Sequence, residues 1–127
     1  MGIFGKRVKY QNFPGVEAIP ANRTNIVGEK AYQYHLRRAA QLPQGPDDYL
    51  WVALRLEPAN PYDREAIRVD WILPDGSGWL TVGYIPRNET SKWRPLVMSA
   101  PRGVVWCWPA KLMGGDGPKL FGLYFYG

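Results

Sequence analysis

The chain's densest set of chemically useful groups is the run Glu57-Pro58-Ala59-Asn60-Pro61-Tyr62-Asp63-Arg64-Glu65-Ala66-Ile67-Arg68-Val69. Pro61 presets φ near about −65°. Asn60 and Asp63 are residues whose side chains bond nearby backbone amides and hold a tight turn. Tyr62 then sits on the turn itself, where a ring is hard to bury. An aromatic beside an amide and a carboxylate, in a basic protein, suits a small polar end-group or a base. The same run offers carboxylates at Glu57, Asp63 and Glu65, with Asp70 just beyond. Mg²⁺ needs only such oxygens and water, so a carboxylate pair across the turn is the one metal arrangement the residues allow.

Other catalytic templates fail on inventory. The chain has one His, His35, and one Cys, Cys107. A zinc site needs three or four such ligands, and an internal disulfide needs two cysteines. His35 falls mid-helix among basic residues and reads as a solvated position. Cys107 lies in the apolar run Val104-Val105-Trp106-Cys107-Trp108 and reads as a small packed hydrophobe. No phosphate-binding glycine loop occurs, and Gly114-Gly115-Asp116-Gly117 reads as a turn. No acid is followed two residues later by Lys, which removes half of a common metal-nuclease motif. The expectation is a protein that is not an enzyme and carries no cofactor or metal.

The elements that must position the turn can be read from the pattern. Tyr49 to Leu56 alternates as a strand, with Leu50, Val52, Leu54 and Leu56 on one face and Trp51, Ala53 and Arg55 on the other. Ala66 to Leu73 is the next strand, and Pro74-Asp75-Gly76-Ser77-Gly78 is a hairpin loop into a strand from Trp79 to Ile85. Asn25 to Gly28 reads as a short strand and Ala31 to Ala40 as a helix. A second helix runs from an Asn88 cap to about Ser99, kinked or split by Pro95. Val104 to Leu112 is a strand whose Pro109 predicts an edge or a bulge, and Leu120 to Tyr126 closes the chain. The tally is about six short strands joined mostly by turns, with two helices: an α+β, mostly β arrangement. Residues 1–24 form a basic arm with Lys6, Arg7, Lys9 and Arg23 against the single acid Glu17. The arm has three readings: it wraps the domain, adds an edge strand, or touches a partner. Residues 25–127 form the single domain.

Length and charge agree with one small basic domain. The 127 residues carry a net charge of +5, and 46% are hydrophobic, which is enough for a core without staples. With 14% aromatics, including six Trp and eight Tyr, some rings are expected on the surface. Rings interleave with cations: Lys30, Tyr32, Tyr34, Arg37 and Arg38; Arg55, Tyr62, Arg64 and Arg68; Tyr84, Arg87, Lys92, Trp93 and Arg94. Single-stranded nucleic acid takes this mixture, with bases on rings at about 1–3 kcal/mol each and cations along the backbone. Trp51, Trp71, Trp79, Trp106, Tyr84, Phe121 and Phe125 are expected in the core, and Tyr62 outside it. No stretch approaches the roughly 18 apolar residues of a membrane span. The single Cys and the absence of a recognisable leader suit a cytoplasmic setting.

Three segments, in order, carry a family likeness: Val27-Gly28-Glu29-Lys30-Ala31-Tyr32, then Leu54 to Val69 with its Glu-Pro-Ala-Asn-Pro-Tyr-Asp core, then Val82-Gly83-Tyr84-Ile85-Pro86-Arg87. Their order and spacing resemble the HIRAN domain from roughly Ile26 to Tyr126, the middle motif being the specific one. The resemblance implies a small modified OB-like β-barrel with two helices. It also implies capture of the free 3′-hydroxyl end of single-stranded DNA, as in DNA repair or fork processing. Carried over by position, Tyr62 stacks on a terminal base, Asp63 accepts from the 3′-hydroxyl, Asn60 shapes the turn and adds a polar contact, and Lys30 and Arg87 hold phosphates. Tyr32 keeps the second of the family's paired aromatics, while the first is Ala31 here. That loss takes away about 1–3 kcal/mol of stacking, and Tyr34 or Trp93 is the ring that would replace it.

The sequence reading is thus a non-catalytic module for the 3′ end of single-stranded DNA, with Lys30, Tyr32, Asn60, Tyr62, Asp63, Arg87 and Trp93 as its binding residues and no membrane partner. It requires Lys30, Tyr62, Asp63 and Arg87 to line one open pocket. The alternative is a protein-interaction or assembly module that kept the HIRAN-like fold without DNA-end binding, its turn being purely structural.

Overall fold

Period-two alternation of apolar residues forces half of each strand inward, and the strands respond by curling around one core. The computed structural model describes residues 8–14, 23–42, 49–116 and 119–125. Its strands are β1 (Lys9–Asn12), β2 (Thr24–Asn25), β3 (Tyr49–Leu56), β4 (Ile67–Ile72), β5 (Trp79–Tyr84), β6 (Val104–Met113) and β7 (Gly122–Phe125). The helices are α1 (Gln33–Ala40), entered through a 3-10 turn at Glu29–Tyr32, and α2 (Thr90–Met98), entered through one at Arg87–Glu89. The sheet order is β2-β7-β6-β3-β4-β5, with β1 added parallel to β6. This is a small, mostly β, OB-like curled sheet with two short helices.

A four-residue stretch joins the two edges of that sheet. Thr24 and Asn25 pair with β7, and the Ile26 N–H donates to the Leu123 carbonyl at 3.0 Å. One residue on, Val27 and Tyr84 of β5 exchange backbone hydrogen bonds of 2.8 Å in both directions. The expected strand over Asn25–Gly28 is therefore a seam that changes partner midway. Gly28 leaves it with φ +73°, a left-handed conformation that favours glycine. Gly83 has to be glycine for a different reason: a Cβ there would stand 2.8 Å from the Val27 carbonyl oxygen and 2.9 Å from Ile26 Cδ1.

The core lies within the curl. Val52 and Leu54, Ile67, Val69 and Trp71, Val82, Trp108, Leu123 and Phe125 point into it, and Leu36 of α1 and Trp93 of α2 close it. Trp93 meets Trp108 edge-on at 5.6 Å and Phe125 at 5.0 Å. Trp93 is fully buried and offers no face to a base. Its place on α2, turned toward β6 and β7, overrides the basic neighbours that made it look like a surface residue. Two rings expected inside are half out instead: Trp51 and Trp79 are exposed on the outer sheet face. The Arg55 and Arg68 guanidiniums lie 5.2 and 4.7 Å from the Trp79 ring centre.

Several boundaries differ from expectation for local reasons. Pro95 does not split α2, which continues to Met98. Asn88 lies inside the 3-10 turn, and it is Thr90 Oγ1 that donates to the Arg87 carbonyl, at 3.0 Å. Pro109 is not at an edge: β6 pairs with β3 along one side, while along the other β1 ends opposite Cys107 and the pairing with β7 covers Lys111 to Met113. Pro109 falls in the gap between them, where a missing N–H interrupts no ladder. Within the arm, Lys9–Asn12 is a strand of the sheet, whereas Lys6, Arg7 and Glu17 lie outside the described residues. Tyr126 does too.

If Gly83 is where the barrel closes, Gly83→Ala must push the Val27 carbonyl aside and loosen the seam. The expected loss is about 1–3 kcal/mol, the usual cost of overpacking, measured by urea unfolding. An unchanged midpoint would show that the seam has slack.

Candidate functional site

The turn after β3 is built from its own side chains. The Glu57 N–H donates to the Ala66 carbonyl at 3.0 Å, and the Asn60 N–H to the Glu57 carbonyl at 3.0 Å. Asn60 Oδ1 then accepts from the backbone N–H groups of Tyr62 and Asp63, at 2.8 and 3.0 Å. Asp63 Oδ1 accepts from the Glu65 N–H at 2.9 Å. An amide and a carboxylate thus supply the acceptors for three backbone N–H groups of the turn, those of Tyr62, Asp63 and Glu65. Asn60 is committed to the turn, its Nδ2 donating to Glu57 Oε1 at 2.8 Å.

Glu57 ties this turn to the barrel seam. Its Oε1 also accepts from the Tyr84 hydroxyl at 2.8 Å, and its Oε2 from Arg68 Nη1 at 3.1 Å. Burial works against the charge on Glu57, but the donors Asn60, Tyr84 and Arg68 outweigh it and hold its pKa below 4.5. Burial and the facing Glu57 carboxylate push the Tyr84 phenol up, so it remains a donor. Arg68 continues the network to Asp70, which is fully buried and also takes Arg55 Nε at 3.0 Å and Thr81 Oγ1 at 2.8 Å. The Tyr10 hydroxyl of β1 bonds the Arg55 guanidinium.

What stands on the turn is Tyr62, 89% exposed. Beside it, Asp63 Oδ2 faces Arg87 Nε at 3.6 Å, an ion pair too long to be a hydrogen bond. That oxygen keeps lone pairs for another donor, and Arg87 is itself exposed. Lys30 is exposed on the 3-10 turn before α1. Tyr32 closes that turn, half-buried, its ring over His35 at 6.0 Å and its hydroxyl near that of Tyr84. Tyr62, Asp63 and Arg87 therefore form one open ledge, with Asn60 beneath it and Tyr32 packed behind Tyr84. Lys30 lies on the neighbouring turn, and Trp93 is in the core. Ala31 is exposed on that same turn.

Four surface cavities are lined by other residues. The ledge is an exposed platform, not the one open pocket lined by Lys30, Tyr62, Asp63 and Arg87 that the sequence reading required. Of the carboxylates considered for Mg²⁺, Glu57 and Asp70 share Arg68, Asp63 faces Arg87, and Glu65 is exposed on the turn. Among the described residues no group of three His, Cys, Asp or Glu side chains is placed to hold a metal ion. Burial pushes the Cys107 thiol up to about 11, so it is protonated at neutral pH. His35 is half-buried rather than solvated, its Nδ1 donating to the Thr81 carbonyl at 2.6 Å. Among the described residues no helix is long and apolar enough to cross a membrane.

Sequence reading anticipated the exposure of Tyr62 and the turn bond of Asp63 but missed Tyr84 and Arg68 as supports, and singled out Glu57 only as a metal ligand. The available signal was Glu57 three residues before Asn60, spanning the turn. Comparison of the chain with protein-family models, with curated proteins and with solved structures gives no match.

A carboxylate whose folded pKa is depressed stabilises above its unfolded value and loses that contribution as pH falls through the folded one. Glu57→Gln is therefore expected to melt lower than wild type at pH 7, the gap narrowing once pH drops well below 4.5. Thermal melts across pH 2–7 check this. A gap independent of pH would mean that the Glu57 charge does not hold the turn.

Proposed function

We propose that the chain is a non-catalytic module that seats the 3′ end of single-stranded DNA on the Tyr62 ledge. The observation that carries this is a tyrosine with 89% of its surface exposed on a turn that Asn60 and Glu57 make rigid. A ring this exposed gives little to the fold. Its flat face suits a base, and rigidity lowers the entropy cost of stacking on it.

The neighbours fit the end of a strand. Asp63 Oδ2, on the residue after Tyr62, is an acceptor suited to a terminal hydroxyl and one that would repel a terminal phosphate. Arg87 and Lys30 supply cations for the phosphates that follow. The net charge of +5 favours the approach of a polyanion. The order of the three segments around Val27-Gly28, Glu57 to Ile67 and Gly83-Tyr84 resembles the HIRAN domain, whose helicase members capture such ends. The Ala31 position removes one stacking surface, so affinity for a single terminus is modest.

The test compares short oligonucleotides ending in a 3′-hydroxyl or a 3′-phosphate by fluorescence polarisation. The hydroxyl form is expected to bind better. Tyr62→Ala is expected to cost about 1–3 kcal/mol, roughly five- to 150-fold, with the melting temperature unchanged. Equal binding of both oligonucleotides would remove end capture. No salt-sensitive binding to any single strand would leave the protein-interaction reading in its place.

A further inference from the structure

The outer face of α1 carries four exposed side chains in helical register. Tyr34, Arg37, Arg38 and Gln41 follow at i, i+3, i+4 and i+7 and line a surface cavity of about 280 Å³. Tyr34 is 76% exposed and meets the His35 ring edge-on at 6.2 Å. Neither arginine has a carboxylate within 4.0 Å among the described residues, and α1 contains no acid. Asp75 lines a cavity together with Arg38, and its pKa is lowered by the hydrogen bonds from Ser77 first and by Arg38 to a smaller degree. A solvated helix face normally alternates signs. This one presents two guanidiniums, a ring and an amide to solvent.

The position of α1 gives that face a direction. Tyr32 meets Tyr84 at the seam end of β5, His35 Nδ1 bonds the Thr81 carbonyl midway, and Arg38 nears Asp75 of the hairpin. The helix thus runs along β5, away from the Tyr84 end to which Glu57 ties the Tyr62 turn. Lys30 is exposed on the turn that opens it. From Lys30 to Arg38 the helix advances roughly 12 Å, at about 1.5 Å per residue.

We propose that this face is a second contact for the same nucleic-acid strand, inward of its 3′ end. Arg37 and Arg38 take backbone phosphates, Gln41 adds a hydrogen bond to phosphate or sugar, and Tyr34 stacks a base in place of the ring missing at Ala31. The inference rests on the end-binding reading and extends it from a terminal pocket to a track longer than about four nucleotides, at the lower end of OB-fold site sizes.

The test measures binding of a 4-mer and a 12-mer, both with a 3′-hydroxyl, against salt concentration, for wild type, Tyr62→Ala, the Arg37→Ala/Arg38→Ala pair and the Arg37→Lys/Arg38→Lys pair. Both arginines are exposed, and circular dichroism confirms folding. The alanine pair is expected to weaken the 12-mer about tenfold and to reduce its salt slope by about 1.4, or 0.7 for each lost phosphate contact, with the 4-mer unchanged. The lysine pair, which keeps both charges, retains the slope. An unchanged 12-mer slope in the alanine pair, with Tyr62→Ala still weakening both strands, would overturn the track and leave end binding standing. No binding of either strand by wild type would overturn both.

Discussion

The carboxylate of Glu57 accepts hydrogen bonds from three parts of the chain that the β3–β4–β5 pairing brings to one end of the sheet. Asn60 brings the turn, Tyr84 brings the end of β5, and Arg68 brings β4. Because Tyr84 also forms the backbone pair with Val27, the group that fixes the turn sits on the residue that closes the barrel. The partial burial of this charge is unfavourable by itself and is offset only by having every donor in place. The turn, the seam and the Arg68–Asp70 cluster behind them therefore form one unit.

This unit fixes the backbone beneath an exposed tyrosine. Tyr62 is 89% exposed, so its place is set by its backbone, and the backbone is fixed by Asn60 Oδ1. A flexible turn would have to be ordered on binding, at about 1–2 kcal/mol for each residue's backbone. Here that cost falls on folding, where the barrel's core offsets it. Asp63 is treated the same way: one oxygen is used to hold the Glu65 N–H, and the other is left beside Arg87 with room for a donor. The ledge is specific in what it offers, one flat ring and one acceptor, with cations around them.

Where the sequence was legible, the forces were local. Asn60, Pro61 and Asp63 act within a few residues, so the turn and the exposure of Tyr62 follow from reading them in place. Alternation in β3 and β4 is equally direct. The supports of the turn were not legible, because Tyr84 and Arg68 reach Glu57 from 27 and 11 residues away. Trp93 misleads because Lys92 and Arg94 flank it, and only packing against β6 and β7 shows that its face turns inward. Pro109 breaks a rule about single strands, since the gap between β1 and β7 that admits it is a property of three strands at once. β1 is four mostly polar residues added in parallel, with no pattern to announce it.

The central claim is that a prebuilt turn presents Tyr62 to the last base of a strand. Its most direct measurement is the NMR signal of the Tyr62 ring protons during titration with a 3′-hydroxyl oligonucleotide, assigned by comparison with Tyr62→Phe. The account predicts saturable upfield shifts from base stacking, while Glu57 and Asn60 side-chain signals stay in place because the turn is already formed. Binding that leaves the Tyr62 ring unshifted, or that rearranges Asn60 and Glu57, would contradict it.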